Sequence, residues 1–291
     1  MTRILFIINP KSGRKKKICL ENLVGKVLPA GVFQTQFRYT EYPGHAETIA
    51  RDCDADVVVA VGGDGTVNEV ARGLAGSEKI LGIVPVGSGN GLALHLGYSR
   101  EPARALRQIA QMNVWRMDCG SICSKPFFCS CGVGLDAEVS AEFVKSGTRG
   151  FATYFKDTLS IYSSYKPCSY SLEIDGNGPV QFDAFLVTVG NANQWGNNAY
   201  ICPAADEADG VLDVTAILPF PVLCLPVLFV RLMSGTLAGS RYVRTFKGKS
   251  IIVKRDSEGP AHYDGESCSL GKVIDIEVAP SVLRVIKPSA E

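Results

Sequence analysis

The sequence has few residues of the kinds that build metal centres or create a strong charge. Its three histidines are scattered singly, and its ten cysteines form no C-x-x-C pair, so a structural zinc is not expected. Thirty basic and twenty-nine acidic residues leave a net charge of +1, which argues against bulk nucleic-acid binding because that requires a strong basic field. The local exception is KSGRKKK, Lys11 to Lys17, which is either a solvated helix start or a surface that faces an anion or a membrane.

The sequence also lacks an uninterrupted apolar run that could cross a bilayer. The longest run, Val214 to Val230, has about 17 residues and three prolines, which fit a buried strand, a turn and a buried or membrane-touching helix. The N-terminus shows no signal peptide, and most cysteines lie in apolar stretches, where they act as small hydrophobic residues. These features favour a cytoplasmic protein with free thiols.

Strands and helices alternate over the first 120 residues. Segments such as Asp56 to Val61, which is continuously apolar from Val57 onward, are typical of buried parallel strands, and segments with helical periodicity follow them. Beyond this point, strands joined by turns predominate, with one helical stretch at about Ala137 to Tyr165. We predict an α/β domain with a parallel sheet over 1–120 and a β-rich sandwich over 121–279. The C-terminal tail, about 280–291, is a candidate to pack back on the first domain. The active site is expected in the cleft between the two domains.

Two glycine-rich loops follow neighbouring predicted strands, and ligands of parallel sheets bind at such strand ends. The loop Gly62 to Thr66 follows VVVAV, and the loop Gly87 to Gly91 follows GIVPV. Glycines that reach positive φ and expose backbone amides suit phosphate binding, and Thr66 is placed to cap the next helix, whose N-terminus favours an anion. A tight turn with a helix cap is the alternative for one loop, but two such loops on adjacent strands favour a phosphate site. Asp64 would repel a phosphate, so it is interpreted as linked to a metal or to proton transfer.

Three N-terminal motifs resemble the catalytic domain of the diacylglycerol kinase family, which includes soluble bacterial diacylglycerol kinases, sphingosine kinases and ceramide kinases. They are NPKSG at Asn9 to Gly13, GGDGTVNEV at Gly62 to Val70 and PVGSGNGLALHLG at Pro85 to Gly97. DCGSI, CGVGLDAEV, GNANQWGNNAYICPAADEADGVLDV and YDGE follow in the order that the family has, so the resemblance covers nearly the whole chain. GGDGT alone is shared with NAD kinases and phosphofructokinases, whereas the combination is specific.

The resemblance implies an ATP- and Mg²⁺-dependent enzyme that transfers the γ-phosphate of ATP to a hydroxyl of a membrane lipid of the diacylglycerol or sphingoid-base type. Peripheral membrane contact follows from such a substrate, and a homodimer is a candidate state. The chain has GSGNG where bacterial members often have GTGND, which tilts the interpretation towards a sphingoid base. The residues implied to bind ATP are Asn9, Pro10, Lys11, Ser12, Gly13, Thr40, Gly62, Gly63, Asp64, Gly65, Thr66, Asn68, Gly87, Ser88, Gly89 and Asn90.

The resemblance also implies catalytic residues. Glu266 or Asp64 is the implied general base, and Asp118 would join Asp64 in a magnesium-linked network. A carboxylate suits both tasks, because an alcohol does not ionise at neutral pH and because carboxylates hold Mg²⁺. The plainer alternative for Asp118 is a turn residue at the end of a strand.

Further residues are implied to hold a metal or the lipid. A structural magnesium would take the Asp209 carboxylate and the backbone carbonyls of Asp206 and Val211. Asp136 matches a residue that binds the polar head of the lipid. After Arg149 the sequence places Phe151, Phe155, Leu159 and Tyr162 on one helical stripe, and Arg149 would lie near a phosphate or head group if this stripe lines the cleft rather than the core.

Two other functions are weighed against this interpretation. An NAD kinase-like enzyme shares GGDGT, but its usual NE/D pair is not apparent in the β-rich half. A non-catalytic regulator that binds a nucleotide or a lipid is the second alternative. The presence of Asp64, Asp118, Asp209 and Glu266 together argues against it.

Overall fold

The computed structural model describes residues 1–12, 20–29, 31–138 and 165–289 of the chain, which divides into two units. Unit 1 comprises Met1–Met117 and Ser281–Glu291, and unit 2 comprises Asp118–Pro280. Two strands contribute residues to both units: β5 spans Val114–Ile122 and β16 spans Val273–Ile286.

Unit 1 is a parallel sheet whose strands alternate with helices. Its elements are β1 (Thr2–Ile8), α1 (Leu20–Val27), β2 (Phe33–Tyr39), α2 (His45–Asp52), β3 (Val57–Gly62), α3 (Asp64–Leu74), β4 (Ile80–Pro85), α4 (Gly91–His95) and α5 (Pro102–Ala110). The strand order is β2-β1-β3-β4-β16, and each pair is parallel. Every residue of β3 and β4 is buried, as their continuous apolar sequences predict. Parallel pairing places the carboxyl ends of β1 to β4 at one edge of the sheet.

Helix α3 begins earlier than the sequence pattern indicates. The apolar periodicity predicts a helix from Val67, whereas the helix begins at Asp64 with Gly63 as its N-cap residue. Thr66 therefore lies inside the first turn, and the prediction that it caps the helix is wrong. Its hydroxyl oxygen instead accepts a hydrogen bond from Asn9 Nδ2 at 3.1 Å.

Unit 2 is a β-sandwich. Its remaining elements are β6 (Lys125–Phe127), β7 (Ser130–Gly134), β8 (Cys168–Ile174), β9 (Val180–Ala184), β10 (Leu186–Gly190), β11 (Leu212–Ile217), α6 (Leu225–Met233), β12 (Val243–Gly248), β13 (Ser250–Arg255), β14 (Gly259–Tyr263) and β15 (Glu266–Leu270). One antiparallel sheet has the order β12-β11-β10-β7-β14-β15, and the other contains β16-β13-β8-β9. Val187 and Val214 of the first sheet share a buried core with Leu172 and Val253 of the second. The predicted fold class, a parallel α/β domain followed by a β-sandwich, is confirmed.

The longest apolar run of the sequence contains three different elements. Strand β11 is buried as predicted, and a short 3₁₀ turn at Val222–Cys224 leads into α6. Leu228 is the buried residue of α6, and the other residues of this helix are half-buried or exposed. No helix among the described residues is long and apolar enough to span a membrane. The helical stretch predicted near 137–165 falls almost entirely outside the described residues.

Candidate active site

The carboxylate of Asp64 joins the two glycine loops of unit 1. Its Oδ2 accepts the backbone N–H of Asn90 at 2.9 Å, and its Oδ1 accepts that of Gly91 at 2.6 Å. The Asn90 side chain closes its own loop: Oδ1 accepts the N–H of Gly87 at 3.0 Å, and Nδ2 donates to the Gly87 carbonyl at 2.8 Å. Because charge-assisted hydrogen bonds are roughly twice as strong as neutral ones, Asp64 fixes one loop against the other.

The two loops also touch through glycine backbones. A Cβ on Gly87 would collide with the Cα of Gly63 and would lie 2.8 Å from Asn90 Oδ1. The glycine-rich sequence of the first loop predicts residues with positive φ, but Gly62, Gly63 and Gly65 do not have it. Close approach explains Gly62 and Gly63, where an added Cβ would meet Thr66 and Gly87, whereas a Cβ on Gly65 would meet nothing within 4 Å. The residue with φ of 58° is Asn90.

Asn9 links the NPKSG motif to the first glycine loop. Besides its bond to Thr66, its Oδ1 accepts the backbone N–H of Lys11 at 2.9 Å, and its carbonyl accepts that of Ser12 at 3.1 Å. Thr40 follows β2 and donates its N–H to the Ile8 carbonyl at 2.9 Å. The ends of β1, β2, β3 and β4 thus bring these motifs to one edge of the sheet, as predicted from their order.

The accessibility of these predicted ATP-binding residues varies. Pro10, Lys11, Gly65 and Ser88 are exposed, and Thr66, Asn68 and Asn90 are buried. Gly13 lies outside the described residues. Burial raises the pKa of the Asp64 carboxyl, against the opposing effects of the two amides and of the Arg100 charge. Asp64 therefore holds a proton more readily than an exposed aspartate.

In unit 2 the YDGE motif forms the turn between β14 and β15. Asp264 and Gly265 have φ of 46° and 83°, the pattern of a two-residue type I′ turn, which Asp-Gly favours. Asp264 Oδ2 accepts the N–H of Phe128 at 2.8 Å. Its Oδ1 accepts the N–H groups of Cys129 and Ser130 at 2.8 and 2.9 Å. Three amides thereby fix the turn from which Glu266 begins β15.

The YDGE motif predicts a function for Glu266 but none for Asp264. Its Asp-Gly pair is a local signal for the turn, but the three amides it binds lie about 135 residues earlier in the chain. Such a long-range contact leaves no mark on local periodicity.

Asn191 connects the same segment to Asp118. Its Nδ2 donates to the carbonyls of Asp118 at 3.0 Å and of Phe128 at 3.2 Å. The buried Asp118 carboxylate accepts the N–H of Gly210 at 2.8 Å, and its own N–H donates to the Glu207 carbonyl at 2.7 Å. Within unit 2 the structure therefore links DCGSI, GNAN, the Asp209-Gly210 turn and YDGE into one polar network.

Two family models match the two halves of the chain. Residues 3–122 match the diacylglycerol kinase catalytic domain, and residues 129–287 match the YegS C-terminal NAD kinase beta sandwich-like domain. The chain belongs to the diacylglycerol kinase family of lipid kinases. The family predicted from the motifs is thus confirmed.

Relatives of this lipid kinase match most of its length. It is 29% identical to a diacylglycerol kinase of Mycobacterium tuberculosis over 252 residues, 84% of this chain and 80% of the relative. It is 30% identical to a diacylglycerol kinase of Staphylococcus saprophyticus over 275 residues, 91% of this chain and 88% of the relative. A diacylglycerol kinase crystal structure from Bacillus anthracis has 22% identity, a TM-score of 0.75 and coverage of 98% and 97%, and shows the same fold.

The turn at Asp209, implied to hold a structural magnesium, lies next to a lysine side chain from strand β12 of the lipid kinase. Lys247 Nζ lies 3.0 Å from Asp213 Oδ2, 3.5 Å from Asp209 Oδ2 and 3.2 Å from the Ala204 carbonyl. Asp206 uses its Oδ1 to accept the N–H of Ala208. No group of three or more His, Cys, Asp or Glu side chains is arranged to hold a metal in the described parts of the chain. The Asp209 carboxylate is thus paired with Lys247 in this structure, and the magnesium implied for it and for the carbonyls of Asp206 and Val211 stays a prediction.

Replacing Lys247 with methionine is expected to make the stability of the lipid kinase depend on divalent ions. Wild-type protein without nucleotide should have the same Tm in EDTA and in millimolar Mg²⁺. The variant should lose roughly 0.2–1 kcal/mol of stability, as for an exposed ion pair, and Mg²⁺ or Ca²⁺ should restore part of it because Asp209 and Asp213 lose their counter-ion. Thermal unfolding measures this, with Lys249→Met as the matched control. A wild-type Tm that falls in EDTA would contradict the assignment of Lys247 as the resident cation.

Asp136, predicted to bind the polar head of the lipid, is buried in the sandwich of the lipid kinase. Its Oδ2 accepts the Thr188 hydroxyl at 2.6 Å and lies 3.1 Å from His262 Nε2, while its Oδ1 accepts the Ala137 N–H at 2.8 Å. Thr188 and His262 are paired with Gly132 from either side, so strands β10, β7 and β14 meet beneath this carboxylate. Head-group binding by Asp136 stays a prediction, and Arg149 lies outside the described residues.

Proposed function

We propose that this member of the lipid kinase family transfers the γ-phosphate of ATP, with Mg²⁺, to a hydroxyl of a membrane lipid, either a diacylglycerol or a sphingoid base. The observation that carries the proposal is the pair of glycine loops that Asp64 joins at the carboxyl edge of a parallel sheet. Relatives named diacylglycerol kinases support the first lipid class, and the GSGNG sequence of the second loop supports the other.

The nucleotide phosphates are assigned to unit 1. Exposed backbone around Gly65 and Ser88, together with the N-terminus of the eleven-residue helix α3, offers amide donors to an anion. Lys11, whose backbone N–H donates to Asn9 Oδ1, adds an exposed, positively charged side chain. Asp64 acts through the loops: by holding Asn90 and Gly91, it keeps the donors in position before the nucleotide binds.

Glu266 is our candidate for the group that accepts the hydroxyl proton. It is half-buried and follows a turn that three backbone amides fix through Asp264. In the proposed reaction the lipid hydroxyl oxygen bonds to the γ-phosphorus as the bond to the β-phosphate oxygen breaks. ADP leaves, and the hydroxyl proton passes to the carboxylate.

Mg²⁺ prefers carboxylate oxygens as ligands, and Asp118 of unit 2 is our candidate ligand. Asp118 belongs to the polar network described above through its hydrogen bonds with Asn191 and Gly210. When bound with ATP, the ion would neutralise charge on the transferring phosphoryl group. The Asp118 contribution is to present a buried carboxylate whose orientation the Gly210 amide fixes.

The proposal is tested by offering the purified chain γ-labelled ATP and Mg²⁺ with separate pools of diacylglycerol, sphingoid base, ceramide and NAD. Label is expected in a phospholipid product from one of the first two pools, with release of ADP, and to disappear without Mg²⁺. Label in NADP alone would replace the proposal with NAD kinase activity. Label in none of the pools would favour a regulator that binds without catalysis.

A further inference from the structure

Unit 2 exposes a contiguous apolar surface around helix α6. Leu223 is 86% exposed, Val230 is 64% exposed, and Val222 and Val227 are each 58% exposed. Val222 and Leu223 lie in the 3₁₀ turn, and Val227 and Val230 lie on the helix that follows directly. We call these four residues the apolar ridge.

The spacing of the apolar ridge places its members on one face. Leu223, Val227 and Val230 are separated by four and three residues, the separation of neighbours on a helix surface. Leu228 points the other way and packs with buried residues such as Leu237 and Val243. The helix is thus anchored by one side and presents branched aliphatic residues on the other.

Positive charge flanks the apolar ridge without any negative charge nearby in sequence. Between residues 214 and 255 there is no aspartate or glutamate, and the basic residues there are Arg231, Arg241, Arg244, Lys247, Lys249, Lys254 and Arg255. Two of them are paired with carboxylates from elsewhere in the chain: Lys247 with Asp209 and Asp213, and Lys254 with Glu173. Arg231 ends α6 and donates to the Thr236 carbonyl at 3.1 Å. Arg241 and Arg244 are exposed, and their guanidinium groups lie over the rings of Tyr242 and Phe182.

We propose that the apolar ridge and its basic flank dock this kinase on the surface of an anionic bilayer. A short helix with exposed aliphatic residues and arginines beside them has the chemistry of an element that lies in the lipid interface. A water-exposed patch of this kind needs an occupant, and the positive charge of Arg231 and Arg241 favours anionic head groups. That the docking brings the enzyme to its lipid substrate rests on the proposed function. The docking itself is independent of that function.

Binding is measured with the full chain and sedimenting vesicles of phosphatidylcholine, with or without phosphatidylglycerol. Wild type is expected to bind the anionic vesicles, and more weakly as salt rises. The double variant Leu223→Ser, Val227→Ser should lose roughly tenfold in binding, and Arg241→Gln, Arg244→Gln should lose the salt dependence. Val273→Ser is the control, because Val273 is 53% exposed on β16 and lies outside the apolar ridge.

The outcomes separate the docking surface from the reaction. The ridge variant should phosphorylate a short-chain lipid dissolved below its micelle concentration as wild type does, and lose activity on anionic vesicles. Equal vesicle binding by the ridge variant and wild type would overturn the proposal. So would a wild-type dimer in sedimentation velocity that the ridge variant converts to monomer, because a second copy would then cover the surface. Vesicle binding without any kinase activity would instead refute the proposed function alone.

Discussion

Replacing Glu266 with glutamine is expected to lower kcat for lipid phosphorylation by about 10²–10⁴-fold, the usual contribution of a general base. Glutamine keeps the size and polarity of the side chain but cannot take the hydroxyl proton. The turn before it is fixed by Asp264, so the fold and Tm should change little. The measurement is the initial rate of product formation at saturating ATP and lipid, with nucleotide affinity determined separately by calorimetry.

Three further variants make the Glu266 experiment decisive. Glu258→Gln makes the same chemical change at an exposed position and should be silent. Glu266→Asp should recover part of the rate, because the base is shortened but retained. Asp264→Asn should lower both kcat and Tm, since an amide cannot satisfy all three backbone donors. A Glu266→Gln enzyme within about threefold of the wild-type rate would exclude Glu266 as the base and leave Asp64 as the candidate.

The architecture of the chain could be predicted because it depends on local signals. Continuous apolar runs mark β3 and β4 as buried parallel strands, and Asp264-Gly265 marks a hairpin. The motifs at the ends of β1, β3 and β4 meet because parallel strands bring their carboxyl ends to one edge. Each of these inferences needs only the sequence within a few residues and the general rule for the element.

The rest of the site depends on contacts between residues far apart in the chain. Asp64 bonds to amides 26 and 27 residues later, and Lys247 neutralises Asp209 and Asp213 from another strand. Periodicity shows which residues are apolar but not which face finds a neighbour, so the sequence left α6 as either a buried or a membrane-touching helix, and only Leu228 of it is buried. The prediction that Thr66 caps the helix was wrong because the apolar periodicity begins at Val67, three residues after the helix begins at Asp64.

Replacing Gly87 with alanine is expected to disrupt the nucleotide site of unit 1 more than its fold. The new Cβ would collide with the Gly63 backbone and crowd Asn90 Oδ1, so the two loops must separate. Overpacking of this kind costs about 1–3 kcal/mol of stability. A displacement of about 1 Å at a positioned phosphate costs on the order of 10²-fold in rate. ATP affinity, kcat and Tm should all fall, with the rate affected most.

The control for Gly87→Ala is Gly25→Ala in α1, where an added Cβ meets nothing within 4 Å. That change should be neutral or slightly stabilising, because alanine favours helix over glycine by about 1 kcal/mol. Asp64→Asn separates the same loops from the other side, by withdrawing a carboxylate oxygen from the Asn90 and Gly91 amides. Because both changes break one pairing, their effects on ATP affinity should be smaller in the double variant than the sum of the two. Additive effects, or wild-type ATP affinity in Gly87→Ala, would mean that the contact between the loops does not organise the phosphate site.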